Sequence, residues 1–141
     1  MTSRVFDNQA FDNDAFDREV DVQAGGLRLA GHLTIPNGAA GIVLFAHGSG
    51  SSRRSPRNRF VAQVINDAGL GTLLFELLTE SEAADRANVF DVELLASRLR
   101  EATGWVRSLP EAAGAAVGYF GASTGAAAAL WAAAEAGAGV A

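Results

Sequence analysis

The chain has 141 residues, 49% of them hydrophobic, and a formal net charge of −5, which suits one domain with a core of its own. It contains no Cys, so disulfides, Cys-based zinc sites and a cysteine nucleophile are excluded, and its acidity argues against general nucleic-acid binding. No apolar run approaches a membrane span, and the acidic start lacks the basic and apolar regions of a secretory signal, so the expectation is a cytoplasmic protein with no membrane partner, no metal and no cofactor.

The first nineteen residues repeat at a period of five, FDNQA, FDNDA, FDREV, which puts Phe6, Phe11 and Phe16 in step. That period fits neither a helix nor a strand. With six acids and two Arg over 1–21, the stretch reads as an acidic, flexible leader spanning 1–19. A linear motif that docks through its Phe residues is the alternative. The domain proper is expected over 20–141.

Val20–Ala24 and Leu27–Ile35 are split by Gly25-Gly26 and read as a β-hairpin. Gly41–Ala46 (GIVLFA) is a continuous apolar run, the pattern of a strand buried on both faces. A loop from His47 to Ser55 leads into a helix that Ser55 can cap, that Pro56 can begin and that Gly69 can end. Its apolar face is expected to be Phe60, Val61, Val64, Ile65 and Ala68. Gly71–Leu77 is a second buried strand and 79–88 an acidic loop. Val89 to about Ser108 is a helix with Val92, Leu95, Ala96, Leu99, Ala102 and Val106 on one face. Ala115–Phe120 is a third buried strand, and Thr124 to about Ala136 an Ala-rich helix. A hairpin followed by strand–helix alternation predicts an α/β fold, a mostly parallel sheet with helices on both faces.

Chemistry concentrates at Gly121-Ala122-Ser123-Thr124-Gly125, a G-x-S-x-G pattern where a buried strand passes directly into a helix. A turn that tight strains the serine backbone and exposes its hydroxyl. Gly121 and Gly125 avoid collisions across the turn, and the free N–H groups of the new helix favour negative charge beside Ser123. After the strand GIVLFA comes His47-Gly48-Ser49-Gly50-Ser51-Ser52-Arg53. A Gly-rich loop there can turn the N–H of Ser49, with Gly50 as substitute, toward the serine. With the N–H of Thr124 it would form an oxyanion hole. His47 and Gly48 then shape the loop.

On these residues, VLFAHGSGSSR and GYFGASTG, the sequence resembles the α/β-hydrolase superfamily. The longer phrases HGSGSSRRSPRNRFVAQVINDAGLGTLLFELLT and GYFGASTGAAAAL resemble the dienelactone hydrolases in particular. Relatives of that kind occur alone or fused to phosphoribosyltransferase-like domains, and none of this chain's own segments reads as such a domain. Members often use Cys as nucleophile; here the position is Ser123. The resemblance spans roughly Val20 to Glu135 and implies a serine hydrolase for a small carboxylic ester, lactone or thioester.

In that superfamily the serine is followed along the chain by an acid and then a His. After Ser123 there is one acid, Glu135, and no His; the chain's two His, His32 and His47, both lie upstream. The expectation is therefore an α/β-hydrolase fold lacking its last strands, an N-terminal fragment of a longer hydrolase with little activity alone. Its outer strand would be open to self-association or to a missing C-terminal segment. Arg53, Arg54 and Arg57, with Arg59 beside them, suggest a site for an anionic substrate, against the plainer reading of a solvated surface. Two other readings stay open: a non-catalytic anion-binding module, and one chain of a split hydrolase.

Overall fold

The structure, a computed structural model, describes residues 15–135 and 137–140. Phe6 and Phe11 of the five-residue repeat lie outside the described residues. A mixed sheet of five strands runs in the order β1-β2-β4-β3-β5. Strands β1 (Phe16–Ala24) and β2 (Leu27–Ile35) form the expected antiparallel hairpin, with Gly25 and Gly26 both at positive φ in its two-residue turn. β2 pairs antiparallel with β4 (Gly71–Phe75), and β3 (Gly41–Ala46) lies parallel between β4 and β5 (Ala116–Gly121).

β1 begins at Phe16, so residues 16–19 belong to the sheet and not to a leader ending at 19. Alternation from Phe16 through Val20, Val22 and Ala24 sends one face of β1 to the core. Arg18 interrupts that pattern, which is why it is hard to see in the sequence. The guanidinium of Arg18 lies 4.4 Å over the Phe16 ring, so the cation shares the apolar face by stacking on it. On the other face Asp17 and Glu19 meet His32 of β2, at 2.5 Å and 2.7 Å.

Helix α1 (Pro56–Asp67) begins where expected, with the Ser55 hydroxyl accepting the Asn58 N–H at 3.3 Å. Its buried face differs from the expectation. Ala62 is buried, and Val61 and Ile65 pack with it on Phe45, Leu74 and Val43, whereas Phe60 and Val64 are 70% and 53% exposed. The helix touches the sheet along a narrow stripe, so part of its apolar arc faces outward.

The opposite face carries the larger core. There α4 (Val92–Arg107) and α5 (Thr124–Ala134) pack together and cover β1, β3 and β5. Leu29, Leu33, Leu44, Leu73, Phe75 and Leu99 are buried within it. Residue 79–88 is no plain loop: two one-turn helices, α2 (Glu80–Ala83) and α3 (Arg86–Val89), precede α4. The acids there act as caps. Thr79 and Glu82 form a capping box, Asp85 accepts the Ala87 N–H, and Asp91 accepts the Leu94 N–H. Glu82 also receives two N–H bonds from Arg98 of α4, at 2.7 Å and 2.6 Å, and Arg98 donates a third to the Leu77 carbonyl. On the outer edge of β5, Val140 makes a parallel bridge to Val117, and Arg107 donates to the Gly139 carbonyl at 2.8 Å.

The hydrogen bonds from Arg98 outweigh partial burial and, with help from Thr79, hold the Glu82 carboxyl down at about 2. A depressed carboxylate stabilises the fold above its ordinary pKa, and that contribution fades as pH falls from about 4.5 toward 2. Arg98→Ala should therefore cost roughly 2–3 kcal/mol at pH 7 in urea denaturation, with a smaller loss at pH 3. His32 has the opposite sign. Burial opposes its charge, but the hydrogen bonds and charges of Asp17 and Glu19 prevail and raise its pKa. Its contribution should be complete below the ordinary histidine value and lost as pH rises through the raised one. A wild-type and His32→Gln pair, melted from pH 6 to pH 9, should show that alkaline decline only in the wild type.

Candidate functional site

The parallel register of β3 and β5 ends with Ala46 opposite Gly121, so the loops that leave the two strands emerge side by side. After β5 the chain turns at Ala122 and Ser123 and enters α5 at Thr124. Ser123 has φ 57° and ψ −128°, and among the described residues it alone has positive φ without being glycine. Its carbonyl accepts the Ala126 N–H at 3.0 Å, so its backbone starts the helix. Its side chain caps nothing and is exposed, which leaves the hydroxyl free.

The glycines are required by contact. A Cβ on Gly125 would overlap the Ala46 carbonyl oxygen, and one on Gly121 would come within 2.6 Å of the Gly125 oxygen. A Cβ on Gly48 would lie 2.9 Å from both the Ala122 oxygen and the Ser123 Cβ. Gly48 also accepts the Ser51 N–H at 3.1 Å, closing a turn that has Gly50 at φ 74°. Ser49, Gly50 and Thr124 line one cavity of 220 Å³ with His47 and Glu76. Among the described residues the N–H groups of Ser49 and Thr124 have no protein acceptor. That is the condition for donating to a developing oxyanion.

His47 is spent on structure. Its Nε2 accepts the Leu77 N–H at 3.2 Å, and its Nδ1 lies 3.1 Å from the Gly48 carbonyl, which fits a neutral ring protonated at Nδ1. Glu76 Oε1, 3.7 Å from Nε2, is too far to displace the Leu77 bond. The other Glu76 oxygen accepts the Arg53 N–H at 3.1 Å. The Arg53 side chain, only 12% exposed, reaches Glu19 at 2.9 Å and Glu76 at 3.6 Å. Arg53 thus ties the loop to β1 and to the end of β4.

The structure brings Ser123, Thr124, His47, Gly48, Ser49 and Gly50 together and leaves the arginines out of their cavity. Arg53, Arg54 and Arg59 line a separate cleft of 580 Å³ with Asp17, Glu19 and His32, while Arg57 is exposed in the first turn of α1. Neither His is hydrogen-bonded to Ser123: His47 is held as described and His32 lies between Asp17 and Glu19. Glu135, at the far end of α5, sits 3.9 Å from Arg100. Among the described residues no cluster of three His, Asp or Glu could hold a metal. Sequence reasoning missed the wall formed by Leu78, Ala83, Val89 and Leu95. The signal was present in Thr79-Glu80-Ser81-Glu82, whose S/T-x-x-E spacing marks a helix start inside the supposed loop.

No family model matches the chain. A solved dienelactone hydrolase from Anabaena variabilis superposes with a TM-score of 0.84 at 55% identity, over 90% of this chain and 61% of that one. An esterase from Pyrococcus furiosus superposes at 0.69 with 21% identity, over 92% of this chain and 49% of its own, a likeness of fold alone. In sequence, a protein from each of two Mycobacterium tuberculosis strains, provisionally named a phosphoribosyl transferase, is 63% identical over 117 residues, 83% of this chain and 26% of theirs. The chain thus spans about a quarter of the length of those curated relatives. Sheet order, elbow and neighbours define an α/β-hydrolase fold. Within that class the chain is dienelactone hydrolase-like in both sequence and structure.

The elbow strain at Ser123 sets an order of stability. Ser123→Gly relieves the positive φ and should raise stability by roughly 0.5–1 kcal/mol, while Ser123→Val should lower it by about 2 kcal/mol or more. Thermal denaturation of the three proteins side by side would reveal a relaxed turn if Gly proved the least stable.

Proposed function

We propose that this chain carries the nucleophile and oxyanion donors of a serine hydrolase for small carboxylic esters, lactones or thioesters. The observation that carries the reading is the Ser123 backbone, held at φ 57° with an exposed, uncommitted hydroxyl at a helix start. In the reaction Ser123 Oγ bonds to the substrate carbonyl carbon, and the carbonyl π electrons move onto its oxygen. The N–H groups of Thr124 and Ser49 stabilise that oxyanion. Collapse of the intermediate breaks the carbonyl carbon's bond to the alcohol, thiol or lactone ring oxygen, which leaves with the proton taken from Ser123; water then adds to the Ser123 ester by the same route, releasing the acid and restoring the hydroxyl. The proton released from Ser123 needs a base, and no described His or acid is hydrogen-bonded to it. The base and its orienting carboxylate come from outside the described residues, from further sequence or a second chain.

The transferase name belongs to the Mycobacterium proteins, of which the shared stretch is 26%. The elbow, rather than that name, is what supports hydrolysis. The same committed histidines favour a second reading, a fold that binds an ester or an anion without turning it over.

A fluorophosphonate probe, applied to a protein that carries the whole triad, separates the two. It should label Ser123 alone, as mapped by mass spectrometry. Ser123→Ala should abolish labelling, and in a protein carrying the whole triad it should lower ester turnover by at least about 10³-fold. Stoichiometric ester binding without any labelling would decide for the binding module.

A further inference from the structure

The 220 Å³ cavity has two unlike walls. One is polar and adjoins the nucleophile: His47, Ser49 and Thr124 line it, and Gly48 abuts the Ser123 Cβ. The other is apolar, with Leu78, Ala83, Val89 and Leu95 supplied by the β4–α4 connection and by α4. We propose that this cavity is an acyl subsite for a short, neutral acyl group, its length set by Ala83 and Val89. The proposal deepens the hydrolase reading and rests on it for the position of the scissile bond.

Size comes first. Sites for drug-sized ligands run from about 300 to 1,000 Å³, so this cavity suits something smaller. Charge comes next. Glu76 is a carboxylate in the lining, fixed there by the Arg53 N–H. It disfavours an acyl tail that ends in a second carboxylate. The 580 Å³ cleft is larger, but none of its lining residues lines the cavity beside Ser123.

The apolar wall is also held in place. Glu82, one residue before Ala83, binds Arg98 and the Thr79 N–H, and its carbonyl accepts the Asn88 side-chain amide at 3.1 Å, one residue before Val89. The two residues that would limit chain length therefore flank fixed points, and a site preorganised in this way discriminates by size.

The test uses the full chain with butyrate, hexanoate, decanoate and succinate as probes, followed by NMR of the Val89 and Leu95 methyl groups. Butyrate and hexanoate should shift those methyls, and decanoate and succinate should bind at least 10-fold more weakly. Ala83→Leu should weaken hexanoate by at least 10-fold and spare butyrate more. Val89→Ala should move the preference toward decanoate, which keeps the test sound if the Leu variant misfolds. Decanoate binding as well as hexanoate, or no methyl shift with any probe, overturns the subsite. Fluorophosphonate labelling of a protein that carries the whole triad separates the two claims. An unlabelled Ser123 with the length pattern intact sinks the catalytic reading and leaves the subsite. A labelled Ser123 with no length pattern sinks the subsite alone.

Discussion

The first turn of α5 lies directly against the end of β3, backbone to backbone. Gly125 has no room for a Cβ because the Ala46 carbonyl occupies it, and Gly121 and Gly48 are confined by the same corner. This contact sets the rest of the site. It forces the chain to turn within Ala122 and Ser123, and only a left-handed backbone at Ser123 achieves that. It also brings the loop after β3 against Ser123, so that Ser49 and Thr124 share one cavity. Strain at one residue persists because the surrounding sheet and helix determine its position several times over.

Charged groups at the loop ends do structural work. Arg53 draws together β1, the loop and β4 through Glu19 and Glu76, and Arg98 does the same for α2 and α4 through Glu82. These pairs are partly buried and hydrogen-bonded, the setting in which an ion pair constrains geometry more than it adds stability. Of the four Arg within residues 53–59, Arg53 is held in this way, and none of the four lines the cavity beside Ser123. Such pairs explain how short helices with few buried residues hold a wall steady.

The likeness to a dienelactone hydrolase at 55% identity covers 90% of the chain, in which Ser123 stands at the elbow beside the N–H groups of Ser49 and Thr124, unpaired among the described residues. Among the described residues no hydrogen bond joins Ser123 to a His or an acid. Binding an oxyanion and moving a proton are separable tasks in acyl transfer in general.

Much of this was legible in the residues themselves. The apolar runs GIVLFA and GTLLF, the Ser55-Pro56 helix start and the G-x-S-x-G turn each carry their own local cause, so sequence determined the strand–helix order and placed Ser123 at an elbow. Tertiary structure decided what depends on partners distant in the chain. Phe16–Glu19 joins the sheet because β2 offers His32 and Arg18 stacks on Phe16, although its charges mimic a solvated leader. Phe60 and Val64 face outward because α1 meets the sheet along a narrow stripe, which helical periodicity cannot foresee. Arg53 turns away from the cavity because Glu19 and Glu76, 34 and 23 residues away, come together only when the sheet closes.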